Sequence, residues 1–341
     1  VGAGAGELGG IGVGASVGVT AVRGAALAHL DGVATVGGDL VISARHRADF
    51  HSDAIIGEAG LATAGAGVAV VVDRSVQAAY IGDGAEILRA GSIEVSADRS
   101  YVDFELLVVE AQVGLIGAVG ASIASARVLG ATQAYIGDAT VGDPDAATVP
   151  VGGVRVEATS AAAPKARAYA GSGGLTLAGD GTRADAYVTP TVEAYYHSTG
   201  GPRAVGAGSE SVNRIGGDLT ILSNSTAEPD AVTLGIAVAG GIAVPVSLPT
   251  AIASPTVRAY VGSDSRVRVI GNGSSDPETA TGRLTLGAVA ADDPRATGSG
   301  AAGAVGLAFE DSVSVATNKT TLDAYIGDGA EVTANTDVIV Q

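Results

Sequence analysis

Four aspartates at the ends of copies of an Ala-Tyr-Ile-Gly-Asp motif are the clearest candidates for ligand chemistry: Asp83, Asp138, Asp264 and Asp328. Calcium prefers carboxylate and carbonyl oxygens, and a cation would relieve the repulsion between carboxylates stacked at strand spacing. The alternative is a turn, in which glycine supplies a positive φ and each aspartate hydrogen-bonds its own turn backbone. The tandem Gly-Gly-x-Gly-x-Asp nonapeptides of calcium-binding β-rolls are absent. The sequence therefore favours the turn and leaves calcium as the one cofactor hypothesis.

The motif recurs along the whole chain. The octapeptide Ala-Tyr-Ile-Gly-Asp-Gly-Ala-Glu stands at 79–86 and again at 324–331. Its tyrosine position falls at 29 (a histidine), 80, 135, 195, 260 and 325, with separations of 51, 55, 60, 65 and 65 residues. Internal repetition of this length indicates a stacked array. We therefore predict one continuous repeat array over 1–341, with approximate units at 1–37, 38–90, 91–151, 152–215, 216–282 and 283–334 and a partial unit at 335–341.

The composition limits the kind of core and the kind of partner. The chain has 52 glycines, 47% hydrophobic residues, only 4% aromatic residues, and no Cys, Met or Trp. A core of small side chains suits thin, closely stacked sheets. The net charge of −17 argues against nucleic acid as a partner, because phosphate binding needs a basic patch. The absence of cysteine excludes disulfides and is compatible with export.

Each predicted unit opens with a short alternating strand such as 39–44, continues through an apolar run such as 61–72, and closes with the tyrosine motif. Period-two alternation and Gly-Asp punctuation indicate β structure throughout. The predicted fold class is all-β, a parallel β-solenoid (β-helix) of stacked repeats of 51–65 residues. Each unit supplies one wide coil, or two or three narrower ones. Only one coil per unit places successive tyrosines at the strand spacing of about 4.8 Å.

The ends of the chain and its longest uncharged stretch each carry an expectation. Val1 lies inside an apolar stretch and Gln341 ends a strand, so we expect a segment of a longer protein.

Residues 231–257 carry no charge, and a transmembrane helix needs roughly 20 apolar residues. Because this stretch contains three prolines and occupies the position of the apolar run of a unit, we predict an interior strand and no membrane span.

The middle units are longer than the others because residues are added after the tyrosine motif, at 139–152, 197–215 and 263–282. These stretches are rich in Gly, Ser, Pro, Asp and Asn, as surface loops should be. Insertions gathered at one corner would line one edge of the array, where repeat proteins often bind partners. The simpler interpretation is that corners tolerate insertion because loop closure costs little.

Enzymatic constellations are sparse. His46 and His51 lie five residues apart on a polar strand, which places them on opposite faces and argues against a shared metal. Asp292 and Asp293 with Arg295 form the one tight cluster of the kind that polysaccharide-cleaving β-helices use, and they lie in a polar corner. No phosphate loop, nucleophile elbow or dinucleotide fingerprint stands in a supporting context.

The motif Ala-Tyr-Ile-Gly-Asp-Gly-Ala, the short strand after it and the next strand Gly-Ser-Ile-Glu-Val-Ser-Ala resemble the repeats of giant bacterial surface proteins. The likeness is closest to leukotoxin-type, filamentous haemagglutinin-like adhesins. It is strongest at 79–97 and 324–341 and weakens between 152 and 282, where Tyr195-Tyr196-His197 lacks Ile-Gly-Asp. The resemblance implies a secreted, elongated β-solenoid displayed on the cell or in its matrix, and it implies no catalytic residues.

These observations together predict a structural, non-catalytic extracellular fibre or adhesin stalk segment at the cell surface. Its expected partners are further copies of itself, neighbouring repeats of a longer chain, and surface glycans or host-cell molecules. Two alternatives stay open. One is a carbohydrate-active β-helix enzyme, with acids and arginines of adjacent coils converging in a cleft. The other is a binding module that calcium stabilises.

Overall fold

The computed structural model describes residues 10–142, 151–199, 213–271 and 281–341. These residues form strands and turns without a helix, which confirms the all-β prediction. No helix in the described ranges is long and apolar enough to span a membrane. The uncharged stretch at 231–257 lies in strands, as its prolines and its position in the repeat predict.

The described residues form 27 strands. They are β1 (Ile11–Val22), β2 (Ala25–Leu30), β3 (Val33–Thr35), β4 (Leu40–Arg45), β5 (Ala48–Asp73), β6 (Val76–Ile81), β7 (Glu86–Val128), β8 (Ala131–Ile136), β9 (Thr140–Val141), β10 (Val151–Ala162), β11 (Lys165–Gly174), β12 (Leu177–Val188), β13 (Thr191–Tyr196), β14 (Asn213–Ile215), β15 (Leu219–Ala227), β16 (Asp230–Ala239), β17 (Ile242–Ala253), β18 (Thr256–Val261), β19 (Arg266–Val269), β20 (Leu284–Asp292), β21 (Arg295–Ala304), β22 (Leu307–Ala308), β23 (Asp311–Ser312), β24 (Val315–Asn318), β25 (Thr321–Ile326), β26 (Glu331–Ala334) and β27 (Val338–Val340).

Equivalent strands of successive units pair side by side in parallel. The motif strands β2, β6, β8, β13, β18 and β25 form one six-stranded sheet in that order. Strands β14, β19 and β26 form a three-stranded sheet, and the other 18 strands form the largest sheet. The register places Tyr80 opposite Tyr135, and Tyr135 opposite Tyr195. Each unit therefore contributes one layer, and we name a layer by its tyrosine.

Within each layer, a long strand segment extends away from the opening and tyrosine strands and then folds back. The sequence did not predict this feature. In the Tyr80 layer, β4 opens the unit and β6 carries the tyrosine. Between them β5 runs outward and folds back on itself, so that a Cβ at Gly67 would lie 3.4 Å from Ile56 Cδ1. We call the outward and returning segments, 48–60 and 62–73 in this layer, the arm. The pairing register shifts between Gly60 and Ala62, where the arm turns back. Corresponding arms pair layer on layer, as Gly65 does with Gly120.

The core lies in two main regions. One is formed by inward residues of the opening, tyrosine and closing strands, such as Ile42, Ile81 and Ile87. The other fills the base of the arms with residues such as Phe104 and Val71. Alternate residues face inward, as the period-two pattern predicts. The apolar runs are buried on one face only. In the run at 113–123, the other face exposes apolar side chains such as Val113, which is 63% exposed.

Substitution of Ile136 by alanine tests this assignment of the core. Ile136 is fully buried in the column between Ile81 and Tyr196, so we expect a loss of about 2–5 kcal/mol in unfolding free energy. Chemical denaturation followed by circular dichroism measures this loss. The matched control is Ile55→Ala, since Ile55 is 52% exposed, and it should change stability by no more than about 0.5 kcal/mol. Equal losses in the two variants would contradict the assignment.

Candidate functional site on the tyrosine ladder

The outward-facing aromatic residues of the six motif strands stack into one ladder. Neighbouring ring centroids lie 4.7–5.1 Å apart with planes within 10° of parallel. Its members are His29, Tyr80, Tyr135, Tyr195, Tyr260 and Tyr325. The ring spacing is that of paired strands, about 4.8 Å, which agrees with one layer per unit. Each inner ring has both faces covered, so the ladder offers ring edges and hydroxyl groups to a ligand.

A second, charged ladder runs beside the tyrosines. It lies on the same face of the sheet, two residues earlier in each strand. Glu193 accepts hydrogen bonds from Gln133 Nε2 at 3.0 Å and from Arg258 Nη1 at 3.3 Å. Arg258 also donates from Nε to Asp323 Oδ2 at 3.3 Å. Opposite charges therefore alternate along the stack where like charges would repel, and this alternation favours the observed register.

The aspartates after the tyrosines connect successive turns. Asp83 Oδ1 accepts a hydrogen bond from the backbone amide of Asp138 at 2.8 Å. Asp138 Oδ1 in turn accepts from the amide and the hydroxyl of Thr199, both at 2.8 Å. Asp83 and Asp138 therefore accept hydrogen bonds from the backbone of a turn, as the sequence favoured, but the turn is a different one. These carboxylates bind the turn of the next layer, whereas the sequence predicted a bond to their own turn.

Asp264 does not share a column with Asp83, Asp138 and Asp328. Each of those three residues follows its ladder tyrosine by three positions, whereas Asp264 follows Tyr260 by four. Asp264 has a φ of 57° and takes the place of Gly84 and Gly329, whose φ values are 78° and 70°. Aspartate tolerates this left-handed conformation better than most residues.

The column of stacked aspartates is interrupted as a result. Ser198 and Ser263 occupy the aspartate place in the Tyr195 and Tyr260 layers. Asp83 and Asp138 are therefore the one adjacent pair of aspartates among these turns. Calcium binding at Asp83, Asp138, Asp264 and Asp328 stays a prediction.

A polar groove lies beside the first half of the ladder. It has a volume of about 380 Å³, and its lining combines ring edges with the carboxylates of Asp31 and Asp83 and the imidazole of His197. His29 Nδ1 lies 2.6 Å from Asp31 Oδ2. Hydroxyl, carboxylate and imidazole groups in one groove can donate and accept hydrogen bonds to a polar ligand such as a sugar. This groove is the candidate contact site of the described surface.

Stacking changes the acidity of the ladder phenols. Burial is the largest cause of a raised pKa at Tyr135, Tyr195 and Tyr260, and neighbouring phenols and carboxylates add to it. The pKa of Tyr260 rises to about 12. Burial also raises the pKa of Tyr196, which faces the core. These phenols stay neutral in moderately alkaline solution.

The arms contain buried acids that the sequence analysis missed. Glu58, Glu110 and Asp180 face the arm interior in three successive layers and are 5%, 2% and 4% exposed. Burial raises the pKa of Glu58 and of Glu110. Burial also raises the pKa of Asp180 to about 7. Hydrogen bonding by Ser172 lowers this pKa by a smaller amount, and the nearby charge of Glu110 raises it. A sequence pattern could have predicted these buried acids: each is a single acidic residue in or next to an apolar run, and the run contains no basic residue.

Other predicted features have ordinary surface roles or lie outside the described ranges. Asp293 pairs with Arg295 at an exposed position, and Asp292 accepts a hydrogen bond from the Thr320 hydroxyl. Part of each predicted insertion, at 143–150, 200–212 and 272–280, lies outside the described residues. In the part of the chain that is described, no group of three or more His, Asp or Glu side chains is arranged to hold a metal ion. The chain matches no protein-family model, no curated protein and no solved structure.

Substitution of Tyr195 tests whether the ladder stabilises the fold. Tyr195 stacks on Tyr135 at 4.7 Å and on Tyr260 at 4.9 Å. Tyr195→Ala removes both stacks, and we expect a loss of about 1–3 kcal/mol in unfolding free energy from stacking alone. Tyr195→Phe keeps the rings stacked and should cost less. Tyr325→Ala is the control because Tyr325 ends the ladder and has one stacked neighbour. A loss at Tyr325 as large as that at Tyr195 would count against a stacking contribution.

Alkaline titration tests the raised phenol pKa values. Unfolded tyrosine ionises near pH 10, about two units below the pKa of about 12 at Tyr260. Between these values the folded chain holds more protons than the unfolded chain, so stability falls as the pH rises. We expect absorbance at 295 nm to show a late phase near pH 12 that is reduced in Tyr260→Phe. Complete ionisation near pH 10, with the circular dichroism spectrum unchanged, would refute the prediction.

Proposed function

We propose that the chain is a segment of an extracellular structural fibre or adhesin stalk, built as a parallel β-solenoid with one coil per repeat unit. The observation that carries the proposal is the aromatic ladder, which continues in register through all six motif strands. A ladder of this kind requires equivalent residues to stack along one axis over the whole repeat array. The proposed function is then mechanical, and the motif resemblance implies no catalytic residues.

Continuous hydrogen bonding supports a role in bearing load. In a stack of parallel strands the hydrogen bonds join one layer to the next, so a pull along the axis acts on many bonds at once. Ion pairs between layers add to these bonds. Arg167 Nη1 lies 2.6 Å from Glu105 Oε1, and Arg283 Nη2 lies 3.0 Å from Asp337 Oδ2. A fibre or stalk needs this kind of distributed resistance.

The two outermost described layers support association with further repeats. Ile11 and Val13 are 77% and 75% exposed in the first layer, and Val305 and Phe309 are 93% and 56% exposed in the last. Exposed strand edges with apolar side chains favour pairing with another strand. We propose that these layers contact neighbouring repeats of a longer chain, or a second copy head to tail.

The extracellular location rests on the motif resemblance at 79–97 and 324–341 and on the absence of cysteine. We propose surface glycans or host-cell molecules as partners and the groove beside Tyr80, Tyr135 and Tyr195 as the first surface to test. Because the inner ring faces are covered by one another, a sugar would contact ring edges, hydroxyls and the carboxylates of Asp31 and Asp83.

Cryo-electron microscopy of the purified chain tests this proposal. We expect straight rods that join into filaments at high concentration, with a layer line near 4.8 Å and one repeat unit per layer. Phe309→Lys should shorten or abolish the filaments by charging the last layer. Val113→Lys is the matched control, since Val113 is 63% exposed on the side of a middle layer.

Two outcomes would count against different parts of the proposal. Dispersed short rods that never lengthen would refute head-to-tail assembly and leave the stalk within a longer chain. Particles without a repeat of about 4.8 Å would refute the solenoid itself.

A further inference from the structure

The arm interior holds three acidic side chains that have no positively charged partner among the described residues. Glu58, Glu110 and Asp180 project into it, one from each of three successive layers. The surrounding stretches 54–72, 106–126 and 170–182 contain no Lys, Arg or His. A buried carboxylate without a compensating charge is strongly destabilising. A proton or a cation from solution must therefore neutralise these acids.

Glu110 and Asp180 approach one another beside a glycine. A Cβ atom at Gly120 would lie 2.8 Å from Glu110 Oε1 and 3.1 Å from Asp180 Oδ1. The missing side chain at Gly120 therefore provides the space into which both carboxylates reach. The hydroxyl and backbone amide of Ser172 lie close enough to Asp180 to oppose the rise in its pKa, but neither carboxylate oxygen makes a hydrogen bond of good geometry. Glu110 accepts from Gln112 Nε2 at 2.5 Å and from Ser122 Oγ at 3.4 Å.

Neutral polar side chains lie beside these two carboxylates: Gln112 and Ser122 next to Glu110, and Ser172 next to Asp180. Gln112 Oε1 and Ser172 Oγ are buried and have no hydrogen-bond partner. Ser122 is fully buried and contacts Glu110. The group therefore offers carboxylate, amide and hydroxyl oxygens, and it offers no nitrogen or sulfur ligand. Zinc is disfavoured by such a set, and magnesium prefers to retain several waters, whereas calcium accepts many oxygen ligands in flexible geometry.

We propose that the arm interior binds calcium between Glu110 and Asp180. The hydroxyl oxygens of Ser122 and Ser172 complete the site, together with Gln112 Oε1 after rotation of the amide that now donates to Glu110. The site is separate from the exposed aspartate turns. Glu58 lies one layer away, with its carboxylate against Gly14, and adds negative charge without being a ligand. Calcium at this position joins two successive layers of the arm through one ion. The inference concerns the arm alone and holds whether or not the chain forms fibres.

Calcium binding to the chelator-treated full chain tests the proposal. Equilibrium dialysis at pH 7.5 should show a calcium ion bound per chain at micromolar to millimolar calcium, and bound calcium should raise the thermal midpoint. Asp180→Asn and Glu110→Gln should each weaken binding at least about tenfold, because each removes one charged ligand. Glu94→Gln, at an exposed position of an opening strand, is the matched control and should leave this binding unchanged. Asp83→Asn is the variant that tests the turns as an alternative site.

Each other outcome overturns the proposal. Failure of the unaltered chain to bind calcium would mean that protons neutralise the arm acids, and this result needs no variant to interpret. Binding that is lost in Asp83→Asn but kept in Asp180→Asn would assign calcium to the turns. Because the two arm substitutions exchange a carboxylate for an amide of the same shape, circular dichroism should show each variant folded without calcium. Retained folding separates lost binding from lost structure.

Discussion

In-register parallel pairing between equivalent residues of successive layers is the constraint on which the rest of this structure depends. Because each unit lays its strands beside those of the unit before, every side chain meets the corresponding side chain about 4.8 Å away. For aromatic and aliphatic residues this arrangement is favourable. Tyrosine stacks on tyrosine, and the inward columns of alanine, valine and isoleucine remove apolar surface from water continuously along the array.

The same constraint is unfavourable for charged residues, because like charges in successive layers lie opposite one another and repel. Different regions of the chain reduce this repulsion in different ways. On the outer face, Arg258 lies between Glu193 and Asp323, so opposite charges alternate. At the turns, the carboxylates of Asp83 and Asp138 accept hydrogen bonds from the next layer, and serines interrupt the column. In the arm interior, Glu110 accepts hydrogen bonds from Gln112 and Ser122 of its own layer, and no opposite charge lies in the stretches around Glu110 and Asp180. The arm is therefore where we place the proposed cation.

The period-two alternation and the Gly-Asp turns were sufficient to predict the all-β class. The tyrosine spacing stayed open between one, two and three strand spacings, because the length of a repeat does not show how many coils it forms. Finer features escaped prediction for identifiable reasons. Asp264 resembled the other motif aspartates, but Ser263 occupies their place and moves Asp264 into the left-handed position. The arm escaped because a long alternating strand such as β5 turns back without a proline or a charged loop to mark the corner.

The small side chains of this protein follow from its cross-section. The two segments of an arm approach so closely that a Cβ at Gly120 would lie 2.8 Å from Glu110 Oε1 of the same layer. Thin arms bury little apolar surface per layer, so their stability depends on joining layers to one another. A cation bound between two layers would hold them together along the stacking axis, as the hydrogen bonds between strands do. Its contribution would be largest where the aliphatic core is thinnest, which is where the unpaired acids lie.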